Sequence, residues 1–226
     1  MGTNAIVKKA GLLAQLLLVL ILASFSCEDD DTLYLSKAFQ LPIDVIPQKE
    51  IFKVGNTIYV NINFPKILSD KDKTVQYLFE DYDFGTSVRI VELKDKTQPL
   101  AGQPGSIQSF KFINQVGGIY PFGAGGGELK LVFTGDTYIY KGKIILKKPG
   151  IYNISFMSDF SSIATVVKAP SGYKHIIAGV GPSFTLVNSG IPLNYHLFVK
   201  YTASEFETSD DSDTQARSFF PFVVVE

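Results

Sequence analysis

Thr57-Ile58-Tyr59-Val60-Asn61-Ile62-Asn63-Phe64 decides the fold class. Ile58, Val60, Ile62 and Phe64 occupy alternate positions, and Thr57, Tyr59, Asn61 and Asn63 fill the others. An extended chain therefore turns one set toward a core and the other toward water, whereas a helix would scatter both around its circumference. Just upstream, Gly55-Asn56 offers the positive φ that a tight turn needs and predicts that 51–54 form the first strand of a hairpin.

The same period-two alternation, rich in Val, Ile, Phe, Tyr and Thr, recurs at 88–93, 107–113, 129–134, 138–146, 150–157, 183–187, 195–202 and 219–225. Gly135-Asp136, between the third and fourth of these, is a second hairpin signal. Loops are expected at 65–74, 94–106 and 203–217, where turn formers or polar residues cluster. No stretch after Cys27 sustains a helical stripe, so the body reads as all-β, with roughly nine or ten short strands in a sandwich. The apolar end at 219–226 reads as an intramolecular last strand, since an exposed edge of that composition would demand a partner.

Two fragments carry a family resemblance. Phe52-Lys53-Val54-Gly55-Asn56-Thr57-Ile58-Tyr59 and Lys147-Lys148-Pro149-Gly150-Ile151-Tyr152-Asn153-Ile154 resemble the start of an early strand and the corner before a late strand in bacterial immunoglobulin-like modules. The resemblance implies an elaborated immunoglobulin-like antiparallel β-sandwich. It also places Tyr152 where a tyrosine corner bonds back to the backbone, and Ile154 where antibody domains carry a cysteine.

The amino terminus has the layout of an export signal. Lys8 and Lys9 precede an apolar run from Ala10 to Ala23, and Ser24-Phe25-Ser26 leads to Cys27, the chain's one cysteine. The run is shorter than the roughly 18 to 20 residues that span a bilayer. A lone cysteine cannot form an intramolecular disulfide, and lipidation explains its position. The segment resembles a bacterial lipobox, although Ser24 and Phe25 differ from the usual aliphatic and small residues there. The acidic run Glu28-Asp29-Asp30-Asp31 resembles the surface-targeting signal of Bacteroidetes lipoproteins. That resemblance implies an anchor of more than one acyl chain, palmitate-like, at Cys27 in the outer membrane, facing the exterior. Plain secretion, or a periplasmic location, is the alternative, with the acidic run a solvated tether. The expected organisation is a signal peptide at 1–26, a lipidated cysteine, tether and lead-in at 27–50, and the sandwich at 51–226.

Composition narrows the function. With 226 residues, 46% hydrophobic and 19% charged, the chain is one globular domain or two small ones, neither disordered nor multi-spanning. Losing Lys8 and Lys9 with the signal leaves 19 basic groups of the original 21 against 22 acidic ones, a net of −3, which offers nucleic acid nothing. The glycine-rich run 117–127 fits no phosphate-binding motif, and it reads as a flexible connection that could present Tyr120 and Phe122 to a ligand. His175 and His196 lack the spacing or companions of a metal site, and Gly181-Pro182-Ser183-Phe184-Thr185 lacks the last glycine of a nucleophile elbow. The acidic clusters at 70–74, 80–83 and 210–213 match no EF-hand and read as solvated turns. Asp81 and Asp83 stay unassigned as a carboxylate pair. Asn153-Ile154-Ser155 spells a glycosylation sequon, coincidental within a strand. Most phenylalanines belong in the core, and tyrosines such as Tyr59 stand where a ring can stack on sugar or protein.

The sequence thus predicts a lipid-anchored, non-catalytic binding or structural module, without cofactor or metal, that takes an unidentified protein or glycan. The second reading is a glycan-binding accessory of a polysaccharide-uptake system. The third is a hydrolase with carboxylates or a concealed triad.

Overall fold

A computed structural model describes residues 32–69, 75–84, 86–158, 162–163, 165–168, 175–187, 194–203 and 218–226. Strand β3 (Thr57–Pro65) follows the expected alternation, with Ile58, Val60, Ile62 and Phe64 buried and Tyr59 and Asn63 exposed. It lies in the first sheet between β1 (Thr32–Ile46) and β11 (Thr137–Leu146), antiparallel to both. Beyond β11 come β7 (Phe110–Val116) and β10 (Val132–Phe133); beyond β1 come β15 (His175–Leu186) and β13 (Ser162–Ile163). β1 thus lies in the stretch before residue 51, and its Leu41, Ile43 and Val45 enter the core.

The second sheet runs in the order β2 (Ile51–Lys53), β16 (Phe219–Val225), β12 (Gly150–Ser158), β6 (Thr86–Glu92), β9 (Gly126–Lys130), β8 (Gly118–Phe122). A small third sheet holds β14 (Thr165–Lys168), β5 (Gln76–Leu78) and β4 (Ile67–Ser69). The architecture is an all-β sandwich in which most pairs are antiparallel. Among the described strands two pairs are parallel, β1 with β15 and β2 with β16. Their members are far apart in sequence, so no tight turn forces them to run in opposite directions.

The turn at Gly55-Asn56 forms but makes no hairpin. Gly55 takes φ 85, the Asn56 amide donates to the Lys53 carbonyl at 2.9 Å, and the Lys53 amide donates to Asn56 Oδ1 at 3.0 Å. Instead of folding β2 onto β3, it carries the chain from one sheet to the other: the Val54 amide bonds Val225 and the Gly55 amide bonds Leu146. Gly135-Asp136 does close a hairpin, with Gly135 at φ 95 and β10 antiparallel to β11. The expected strand 129–134 is divided between β9 and β10, which belong to different sheets.

Between the sheets, side chains from both inner faces form one core. Tyr152 behaves as the resemblance implies: its hydroxyl donates toward the carbonyls of Pro149 and Lys148 at 3.2 and 3.4 Å, and Ile154 is buried two residues on. The terminal run 219–225 is an interior strand, as expected.

Residues 195–202, expected as a strand, form a helix instead, α1 (Tyr195–Tyr201). Seven residues are too few to show a stripe in sequence. Tyr195, Phe198 and Tyr201, three apart, turn toward the outer face of the second sheet, where Phe198 packs with Val91, Leu93, Leu100 and Phe219. Burying a ring such as that of Phe198 contributes about 1.5–3 kcal/mol, more than a short helix can supply by propensity. The Asn194 side chain ties the helix start down by donating to the carbonyls of Pro221 and Lys49 at 2.9 and 3.0 Å. The expected loop at 94–106 is irregular, with one 3-10 turn inside it at Leu100–Gly102 and another just beyond it at Ile107–Ser109, and it is organised by Gln103. That buried amide accepts from the Lys94 and Asp95 amides at 3.0 and 3.2 Å and donates to the Asp95 and Gln98 carbonyls at 2.6 and 3.1 Å.

Burial pushes the phenols of Tyr138, Tyr140 and Tyr152 above the ordinary value of 10.0, that of Tyr140 furthest. Because the folded chain favours the neutral phenol, the associated stability is whole below pH 10.0 and is lost as pH rises through the raised values. The melting temperature should therefore hold steady approaching that pH and fall beyond it. Tyr140→Phe, which removes a buried hydroxyl lacking a hydrogen-bond partner, should soften the fall. An identical alkaline profile in the variant would contradict this assignment.

Candidate binding face

α1 packs on the outer face of the second sheet against Val91 of β6 and Phe219 of β16. On the same face, β6, β9 and β8 with the end of β12 bring two rows of residues into register. Met157, Ser87, Glu128 and Tyr120 stand opposite one another in succession, and so do Ser155, Arg89, Gly126 and Phe122. Tyr120 and Phe122, alternate residues of β8, are 50% and 58% exposed.

The run 117–127 is therefore not a flexible connection but the hairpin of β8 and β9. Only Gly117 and Gly123 within it have positive φ, 68 and 59. Other glycines there permit close approach. A Cβ on Gly126 would stand 2.7 Å from the Phe122 ring, and one on Gly118 would stand 2.4 Å from that of Tyr120. Each ring thus lies across glycine backbone. The Lys130 ammonium is 6.0 Å from the Tyr120 ring centroid and 3.4 Å from Glu128.

β8 is an edge strand of its sheet among the described residues. Asn114 occupies its outward groups: Oδ1 accepts from the Ile119 amide at 3.0 Å, and Nδ2 donates to the Ile119 carbonyl at 3.3 Å. Two residues on, Pro121 has no N–H to offer. An added strand finds little to pair with there, so recognition at this hairpin runs through side chains.

Beside Phe122 is a depression of about 460 Å³. Tyr82, Phe84, Phe122, Phe133 and Tyr138 supply its aromatic lining, and Asp81, Asp83, Glu128 and Lys130 its charges. Phe84 sits at the centre of a ring cluster, with centroids 4.8 Å from Tyr138, 4.9 Å from Tyr82, 5.1 Å from Phe64 and 5.3 Å from Phe79. The Tyr138 hydroxyl fastens the segment to the first sheet, accepting from the Tyr82 amide at 2.6 Å and donating to the Phe79 carbonyl at 3.3 Å. Asp81 adopts φ 47, a left-handed geometry that aspartate tolerates better than most residues. A second depression, near Tyr152, is lined by the Glu92–Lys94 ion pair, which closes at 2.9 Å.

Of the residues singled out in the sequence, Asp81, Asp83 and Phe122 meet at the first depression, and Tyr120 flanks Phe122 on β8. His196 lies on α1, its Nε2 3.3 Å from Glu50 Oε1, and His175 opens β15 in register with Thr32. Ser183 falls within β15 opposite Gln40, not at a strand-to-helix elbow. Asn153 is fully buried, so the sequon's acceptor faces no solvent. Cys27, the acidic run after it, and the clusters at 70–74 and 210–213 lie outside the described residues. Among the described residues, no three His, Cys, Asp or Glu side chains converge as metal ligands. Phe84, Phe133, Tyr138, Glu128 and Lys130 join the site unannounced. The alternation marks Tyr138 as buried, but no local signal tells that it meets residues 81–84.

No protein-family model and no curated protein matches the chain. Among solved structures, it is similar to the seventh ScaB type I cohesin from Pseudobacteroides cellulosolvens, at 13% identity and TM-score 0.28, over 68% of this chain and 89% of that one. It is also similar to a type II cohesin domain from the cellulosome of Acetivibrio cellulolyticus, at 12% identity and TM-score 0.22, over 62% and 93%. A non-cellulosomal cohesin from the hyperthermophilic archaeon Archaeoglobus fulgidus follows at 14% identity and TM-score 0.17, over 63% and 91%. A likeness this distant bears on neither ligand nor partner.

Proposed function

We propose that the chain is a lipid-anchored, non-catalytic binding module on the outer face of a bacterial outer membrane, with the β8–β9 hairpin as its recognition element. The observation that carries this reading is the pair of exposed rings, Tyr120 and Phe122, fixed on an ordered hairpin beside the depression. Exposed aromatics held rigid lose little conformational entropy on binding and bring large contact areas. Anchoring is supported by the lipobox-like Ser24-Phe25-Ser26-Cys27. β1 begins at Thr32, directly after the acidic run, which would leave a short tether between membrane and sandwich.

The experiment has two arms. Fractionation of cells should find the chain with membranes and its Cys27→Ala variant in the soluble fraction; unchanged retention would contradict the anchor. The full chain in detergent, screened on glycan and peptide arrays, should bind members of one class. Tyr120→Ala and Phe122→Ala should each weaken that binding about tenfold, within the range for truncated aromatic contacts. Full binding by both variants would remove the hairpin from the account. The glycan-accessory reading is favoured by one feature, the two rings on one face next to the Glu128 carboxylate, which could accept from sugar hydroxyls.

A further inference from the structure

We infer that the outer face of the first sheet lies on an anionic lipid surface, which turns the β8–β9 hairpin on the opposite sheet away from the membrane. This rests on the chain being anchored at Cys27, and it adds the face that meets the bilayer and the headgroup chemistry that face prefers.

The registers of β1, β3, β11 and β7 build the face in rows. Ile46, Tyr59, Lys143 and Ile113 stand opposite one another in succession across the four strands. Asp44, Asn61 and Lys141 make the row on one side, and Thr57, Ile145 and Lys111 the row on the other. Ile46, Tyr59 and Ile113 are large apolar side chains left exposed. The three rows hold three ammonium groups against the one carboxylate of Asp44, a net of +2. Among the described residues these lysines form no ion pair, and Lys143 stands over the Tyr59 ring, 5.4 Å from its centroid.

That mixture suits lipid better than protein. The centre of a protein interface is depleted of lysine. Here Lys143 occupies the middle of the apolar row, between Tyr59 and Ile113. At a bilayer surface the same order is favourable, because isoleucine and tyrosine side chains enter the headgroup region while flexible lysine stems bend to carry their ammonium groups to phosphate. The tether agrees with this pose. Thr32, the first residue of β1, follows Cys27 by five positions, a reach of at most about 18 Å. β1 belongs to this sheet, so laying the sheet flat brings the start of the body and the anchor to the surface together. Attachment also raises the effective concentration of the face at the membrane, so a modest patch is enough.

The chain has no tryptophan, so one introduced indole reports on one face at a time. Full chains carrying Tyr59→Trp or Tyr120→Trp, diluted from detergent into vesicles with brominated acyl chains, test the pose by fluorescence quenching. In mixed phosphatidylglycerol and phosphatidylcholine, Tyr59→Trp should lose at least about half its emission and shift to the blue, whereas Tyr120→Trp should change little. In phosphatidylcholine alone, or with Lys111→Gln, Lys141→Gln and Lys143→Gln combined, quenching of Tyr59→Trp should fall at least about twofold while the melting temperature stays put. Equal quenching at the two positions, or quenching indifferent to headgroup charge, would overturn the pose and leave the anchor standing. Emission from Tyr59→Trp that ignores vesicles and responds to a polyglutamate peptide would overturn it too, giving the face to an acidic protein. Anionic preference that survives in a chain whose membrane retention is unchanged by Cys27→Ala would support the pose and overturn the anchor. A chain that sediments with neither kind of vesicle would overturn both.

Discussion

Removal of residues 219–226 should abolish the cooperative melting transition of the body. β16 lies between β12 and β2, antiparallel to one and parallel to the other, so its loss strips hydrogen bonds from two neighbours at once. It also removes Phe220, Phe222 and Val224 from the main core and Phe219 from the cluster under α1. Phe222 alone meets Phe52 at 5.4 Å, Phe220 at 5.4 Å and Tyr152 at 6.0 Å between ring centroids. Phe222→Ala should therefore cost about 3–5 kcal/mol, the range for a buried ring cut to a methyl. Calorimetry decides: a truncated chain that keeps a sharp transition would show that β16 is dispensable to the sandwich.

Phe84→Ala should also cost about 3–5 kcal/mol. Its ring touches four others drawn from β3, β11 and the 79–82 segment, so its removal opens a hole that aromatic neighbours cannot readily fill. The same ring lines the depression, so the variant should also lose affinity for whatever the depression binds. Denaturant unfolding would show a lower midpoint with an unchanged slope, the signature of lost stability in an otherwise intact fold. A midpoint within experimental error of the parent would mean that the cluster does not hold the segment.

What the sequence could tell divides along a physical line. Strict alternation in β3 named the buried positions correctly and that in β11 named a strand, because a sandwich face imposes a period that the chain itself carries. The Tyr152 corner was legible for the same local reason, since its bonds reach back only three and four residues. Pairing was not legible. Gly55 takes the positive φ its sequence suggests, yet which sheet receives the chain afterwards depends on Val225 and Leu146, far along the chain. α1 escaped notice because its helical character comes from burial of Phe198 against Val91 and Phe219. The site was half legible. Tyr120 and Phe122 stand out beside their glycines, but a glycine run in sequence reads as freedom, whereas Gly118 and Gly126 serve close approach. Only folding brings Asp81 and Asp83 to Phe122.

The central claim is that recognition runs through the β8 face. The most direct measurement is the change in dissociation constant, for the tightest probe found on the arrays, caused by Phe122→Ala compared with Tyr59→Ala. Tyr59 is a comparably exposed ring on the outer face of the other sheet, with its own lysine above it. The account predicts about tenfold weaker binding for Phe122→Ala and parent affinity for Tyr59→Ala. Equal effects of the two substitutions, or a loss confined to Tyr59→Ala, would contradict it.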